Sequence, residues 1–147
     1  MEIPDSREQV KIWQSARPTQ APATEGLQAL ALTAFTAAAV YGDLMPQLQT
    51  TQKEMASQLR QQQLKQVRCL KGIYRMAMGV PLKVAAATPA TQTLEGALRR
   101  NYTRSMKALR AYESRSADSE FGAVFEVLAA YEREHCKKII EWMGMLV

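Results

Sequence analysis

The chain has 147 residues, enough for one domain with a sizeable core. Hydrophobic residues make up 47% of it, which excludes an intrinsically disordered chain, and two cysteines are too few for a disulfide framework. The net charge of +5 is modest and is accounted for by cations dispersed on helix exteriors, so nucleic acid is not expected as a partner. Good helix formers dominate, and no segment sustains the alternation of a strand. The expected class is all-α.

Residues 1–22 read as an N-terminal arm, and residues 23–147 as the folded domain. The arm carries Pro4, Pro18 and Pro22 around a short amphipathic piece, Val10-Lys11-Ile12-Trp13. A tryptophan left in water is unusual, so Trp13 is expected against the bundle or a neighbouring subunit. Met1 to Glu8 is charged and holds no apolar core, so no signal peptide is expected. The longest apolar run, Ala29 to Tyr41, is too short to span a bilayer, which predicts a cytoplasmic protein with no membrane partner.

The first helix is predicted to begin at Thr24 as N-cap. It turns Leu27, Leu30, Ala34, Ala37 or Ala38, Tyr41 and Leu44 inward, and Pro46 ends or kinks it. Thr51-Gln52-Lys53-Glu54 reads as a capping box opening the second helix. That helix has a seam of Met55 or Ala56, Leu59, Gln63, Gln66, Leu70, Ile73 and Ala77, and Gly79-Val80-Pro81 stops it. Residues 80–92, if extended, reach roughly 40 Å, which is enough to run the length of a bundle and start the next helix parallel to the last. The third helix spans about Thr93 to Ser114, with Leu94, Leu98, Tyr102, Ser105, Leu109 and Tyr112 inward. A turn over Arg115 to Asp118 follows, with Asp118 or Ser119 capping the fourth helix. Two short connections and one long one describe a four-helix bundle with a crossover between its second and third helices.

The fourth helix carries the chemistry. Phe121, Phe125, Leu128, Glu132, His135, Ile139 and Trp142 recur at steps of four and three, the spacing of a buried seam. Glu132 and His135, the only histidine, therefore sit where the pattern demands apolar side chains. Burying them is costly unless they are paired, hydrogen-bonded or metal-bound. At the same depth lie Gln63 and Gln66 on the second helix, Tyr41 on the first, and Ser105 and Tyr112 on the third. The structural reading is a closed hydrogen-bond network of these groups. The chemical reading is half of a carboxylate-bridged metal site, because such sites use Glu-x-x-His on an inward helical face. Cys69 and Cys136 flank this layer in sequence, with nothing in their neighbours to mark a lowered thiol pKa. Met76, Met78, Met143 and Met145 are expected as gap-fillers at the bundle ends.

Arg68-Cys69-Leu70-Lys71-Gly72-Ile73-Tyr74 and Ala117-Asp118-Ser119-Glu120-Phe121-Gly122, leading to Glu132-Arg133-Glu134-His135, resemble the rubrerythrin branch of the ferritin-like superfamily. The resemblance covers about residues 24–145 and implies a ferritin-like bundle. It places the family's helix glutamates on Ala34 and Ser105 and its other Glu-x-x-His on Gln63 and Gln66. Only Glu132 and His135 match; Ala34, Gln63, Gln66 and Ser105 are degenerate ligand positions, with Tyr41 and Tyr112 in a second layer. The resemblance thus implies a bundle that has lost its di-iron centre and serves as a non-catalytic binding or scaffold subunit without a cofactor. The rival expectation is an oxidoreductase or iron-handling protein holding one iron or other divalent metal ion weakly through Glu132 and His135. A homodimer is expected, because Trp142, Met143, Met145, Leu146 and Val147 leave an apolar tail and Trp13 adds a second aromatic anchor. A metal-competent paralogue is the alternative partner.

Overall fold

A computed structural model of the chain describes residues 23–85 and 92–146. Within them are four helices and no strand: α1 Leu27–Leu44, α2 Thr50–Met78, α3 Leu94–Arg115 and α4 Gly122–Met145. Helix α1 packs on α2 and α3, and α4 packs on the same two, so α1 lies diagonally from α4 and α2 from α3.

Two apolar clusters fix the direction of each helix. One joins Leu27 and Leu30 of α1, Leu70 and Ile73 of α2, Leu109 and Tyr112 of α3, and Phe125 and Leu128 of α4. The other joins Tyr41 and Leu44, Ala56 and Leu59, Ala97 and Leu98, and Ile139 and Trp142. Helices α2 and α3 therefore run the same way, opposite to α1 and α4. Residues 79–93 must connect opposite ends of the bundle. The buried seams explain the assembly, since each helix presents one apolar stripe and the four stripes close on one another.

The helix ends depart from the sequence reading. Helix α1 starts three residues after Thr24, at an N-cap Gly26 with φ 72°, and no side chain caps it. Gly26 occupies the left-handed region, where its missing Cβ removes the steric penalty. Leu44 leads into a 3-10 turn, Met45–Gln47, that places Pro46 where its lacking N–H costs nothing. Thr51 lies inside α2 rather than capping it; the N-cap is Gln49, without a side-chain bond. Gly79, at φ 74°, ends α2, and its N–H reaches the Arg75 carbonyl. Thr93 caps α3 through Gly96 N–H at 3.1 Å. Asp118 does accept backbone N–H groups, from Glu120 at 2.9 Å and Phe121 at 2.7 Å. It thereby fixes the turn that feeds α4, whose N-cap is Phe121.

Four further expectations are corrected. Ala77 is exposed, because α2 runs past the end of the core after Ile73. Met76, Met78 and Met145 are exposed rather than gap-filling. Trp142 is fully buried in the second cluster of its own chain and so is not an interface anchor. Val10, Ile12, Trp13 and Val147 lie outside the described residues. The segment Leu27–Gln47, 21 residues, is long and apolar enough to cross a membrane by length and composition, contrary to the shorter run read from sequence, but half of its most apolar window is buried in this bundle.

Candidate functional site

Between the two apolar clusters lies one polar layer. Gln63, Gln66, Asn101, Ser105, Glu132 and His135 are all buried there, alongside the equally buried Tyr41 and Tyr112. Each helix supplies its members by seam periodicity: Gln63 and Gln66 are three residues apart on α2, as are Glu132 and His135 on α4. Ala34 is buried on α1 and offers a methyl group only.

The layer is organised around one carboxylate oxygen. Glu132 Oε1 accepts Gln63 Nε2–H at 2.9 Å and also a hydrogen bond from Gln66 Nε2. Gln66 is itself oriented, because its Oε1 accepts the Tyr112 hydroxyl at 2.9 Å. The other oxygen, Glu132 Oε2, has no hydrogen-bond partner and lies 3.9 Å from His135 Nδ1. Burial pushes the Glu132 carboxyl above its ordinary value, with the polar side chains of Ser105, Gln63 and Gln66 around it acting in the opposite direction.

His135 is engaged at both nitrogens. Tyr41 Oη lies 2.6 Å from Nε2, with the two rings edge to face at 83°. Gln63 Nε2 lies 3.2 Å from Nδ1, and Ser105 Oγ also contacts Nδ1. With the Gln63 amide donating to both Glu132 and His135, Nδ1 is the acceptor nitrogen, and Nε2 carries the proton and donates it to Tyr41. Burial, assisted by Lys138, lowers the imidazole pKa to about 4, so the ring is neutral in neutral solution. Burial likewise holds the Tyr41 and Tyr112 hydroxyls well above ordinary phenol values, with the Glu132 charge adding to both shifts, so both remain protonated.

Every polar residue singled out from the sequence for this layer is brought to it, and Ala34, buried on α1, contributes no polar atom. Asn101 was missed. It is fully buried, donates to the Ala37 carbonyl of α1 at 3.2 Å and accepts Arg104 at 2.8 Å. Its signal was present as the series Ala97, Asn101, Ser105, Ala108 and Tyr112, but choosing the larger apolar Tyr102 as the inward residue hid it. Tyr102 is only half-buried.

The amide groups that face the carboxylate are donors. Both glutamines point amide N–H, not carbonyl oxygen, at the carboxylate, which is the polarity of an anion holder rather than a cation ligand set. Among the described residues no group of three or more His, Cys, Asp and Glu side chains converges to hold a metal ion. Cys136, next to His135, has its thiol pushed up to about 11 by burial and by Glu132, so it is not a reactive thiolate. Grooves on the surface, one at Gly26, Leu32 and Tyr74 and another at Glu113, Glu126 and Arg133, include no member of the layer in their linings.

The fold and site define an all-α four-helix bundle with a buried, internally bonded polar layer. No protein-family model, curated protein or solved structure matches the chain.

Proposed function

We propose that the chain is a ferritin-like, rubrerythrin-related bundle in which a hydrogen-bond network stands where the family holds two irons, and that it acts as a non-catalytic binding or scaffold subunit. The observation that carries this reading is the convergence of Gln63 and Gln66 N–H groups on Glu132 Oε1 while both His135 nitrogens are taken by protein groups. The parallel α2 and α3, joined by a connection between opposite ends, support the ferritin-like part. A di-iron centre does not fit these residues. Two divalent cations need several carboxylates and a second imidazole, and the layer offers one of each.

A second reading draws on the unpartnered Glu132 Oε2, which together with His135 Nδ1 would give a single divalent ion two ligands. Occupying that site requires Gln63 and Ser105 to release Nδ1, so only weak binding is expected. Loading with ferrous iron and exposure to oxygen tests the two readings. The network reading expects no di-iron absorption and no iron oxidation above the protein-free rate. Oxidation that is stoichiometric with the chain and lost in Glu132→Gln favours the metal reading.

A further inference from the structure

The most exposed apolar side chains near the first cluster lie at the tip of α2. Beyond Ile73 the helix leaves the core, and every residue from Arg75 to Pro81 is exposed. Met76 is 76% exposed, Met78 54% and Val80 51%. Leu82 then returns to the first apolar cluster, so the tip is a fixed projection anchored on both sides, at Ile73 and Leu82. Exposed methionines at such a point have no role in holding the bundle together.

The charge along this part of the chain has one sign. No acidic residue occurs between Glu54 and Glu95. Within that stretch Arg68, Lys71, Arg75 and Lys83 are exposed, and the described residues contain no ion pair to any of them. The acidic groups at the same end of the bundle are carried by other elements: Glu25 before α1, Glu113 in the last turn of α3, Asp118 and Glu120 in the turn between α3 and α4, and Glu126 near the start of α4.

We infer that the α2 tip docks on an anionic lipid surface, with Met76, Met78 and Val80 entering the headgroup boundary and Arg68, Lys71, Arg75 and Lys83 meeting lipid phosphates. Apolar tips beyond a row of cations, Arg68, Lys71 and Arg75 on one face of α2, match the two layers of such a surface. The distribution of the apolar groups separates this from a protein groove. Successive helical residues step about 100° around the axis, so Met76 and Met78 point to different sides and Val80 follows beyond Gly79. A groove receives one face of a helix, whereas a fluid boundary accepts apolar groups all round. A nucleic acid would use the cations and leave the methionines in water.

Flotation of the full chain with vesicles tests the inference. Vesicles of three parts phosphatidylcholine to one part phosphatidylglycerol should bind the chain at least about tenfold more tightly than pure phosphatidylcholine. Lys71→Gln with Arg75→Gln should weaken binding about thirtyfold, from two lost phosphate contacts. Met76→Ser with Met78→Ser should weaken it about fivefold at unchanged charge. Arg133→Gln with Lys137→Gln, on α4, should leave it unchanged. All these side chains are exposed, so the fold, read by circular dichroism, should persist. Equal losses in the α4 variant, or no loss on removing the methionines, would overturn the inference. So would preferential binding to a 20-base-pair DNA duplex that is insensitive to the methionines.

Discussion

At Glu132 the two oxygens of one carboxyl group live in different surroundings: Oε1 accepts two amides, and Oε2 accepts nothing. A buried carboxylate oxygen without a donor disfavours the charged form and adds to the rise of the carboxyl pKa. The pH dependence follows. The folded-state pKa of Glu132 is raised, so its contribution to stability is fully present below the ordinary carboxyl pKa and is lost as pH rises through the folded value. His135 has the opposite sign. Its folded pKa of about 4 lies below the ordinary 6.5, so its contribution is present above 6.5 and is lost as pH falls toward 4, by about 3 kcal/mol over the window. Glu132→Gln keeps an acceptor for Gln63 and Gln66 and removes the ionisation. We expect this variant to unfold at a higher denaturant concentration than the parent at pH 8, with the gap closing toward pH 4.5. A gap independent of pH would show that Glu132 titrates normally.

Helix by helix, the inward seams were legible and the ends were not. The seven residues named by steps of four and three, from the N-cap Phe121 to Trp142, are all buried, because an amphipathic helix has one way to hide its apolar stripe; Gly122, Ala129 and Cys136, buried beside them, were not named. Caps depend on where a helix stops, which is decided by packing beyond the local sequence. Thr24, Thr51 and Thr93 look alike as caps, yet only Thr93 accepts an amide, from Gly96. Substitution separates them. Thr93→Ala should cost about 1 kcal/mol in chemical denaturation, while Thr51→Ala, inside α2, should change stability by less than about 0.5 kcal/mol. Equal losses would mean that α2 begins two residues later than described, with Thr51 as its N-cap.

For the whole molecule, the chain direction of each helix was legible from connector length, since residues 80–92 were long enough to return along the bundle. The polar layer was legible as a set of residues but not as a set of bonds. Sequence spacing places Gln63, Gln66, Glu132 and His135 at one depth, but only the three-dimensional arrangement aims both amides at Oε1 and gives each imidazole nitrogen a protein partner. Trp142 shows the limit in the other direction. It was read both as the last residue of the buried seam and as part of an apolar tail open to a partner, and the second apolar cluster absorbs it completely. Protein groups thus engage Glu132 Oε1 and both His135 nitrogens.

Because His135 is the only histidine, its imidazole nitrogens can be read without ambiguity by long-range proton–nitrogen NMR on uniformly labelled protein. At pH 5.5 the account expects one neutral tautomer, protonated at Nε2, whose nitrogen shifts do not move when stoichiometric zinc or ferrous ion is added. A protonated ring at that pH, or nitrogen shifts that follow added metal to a one-to-one end point, would contradict it.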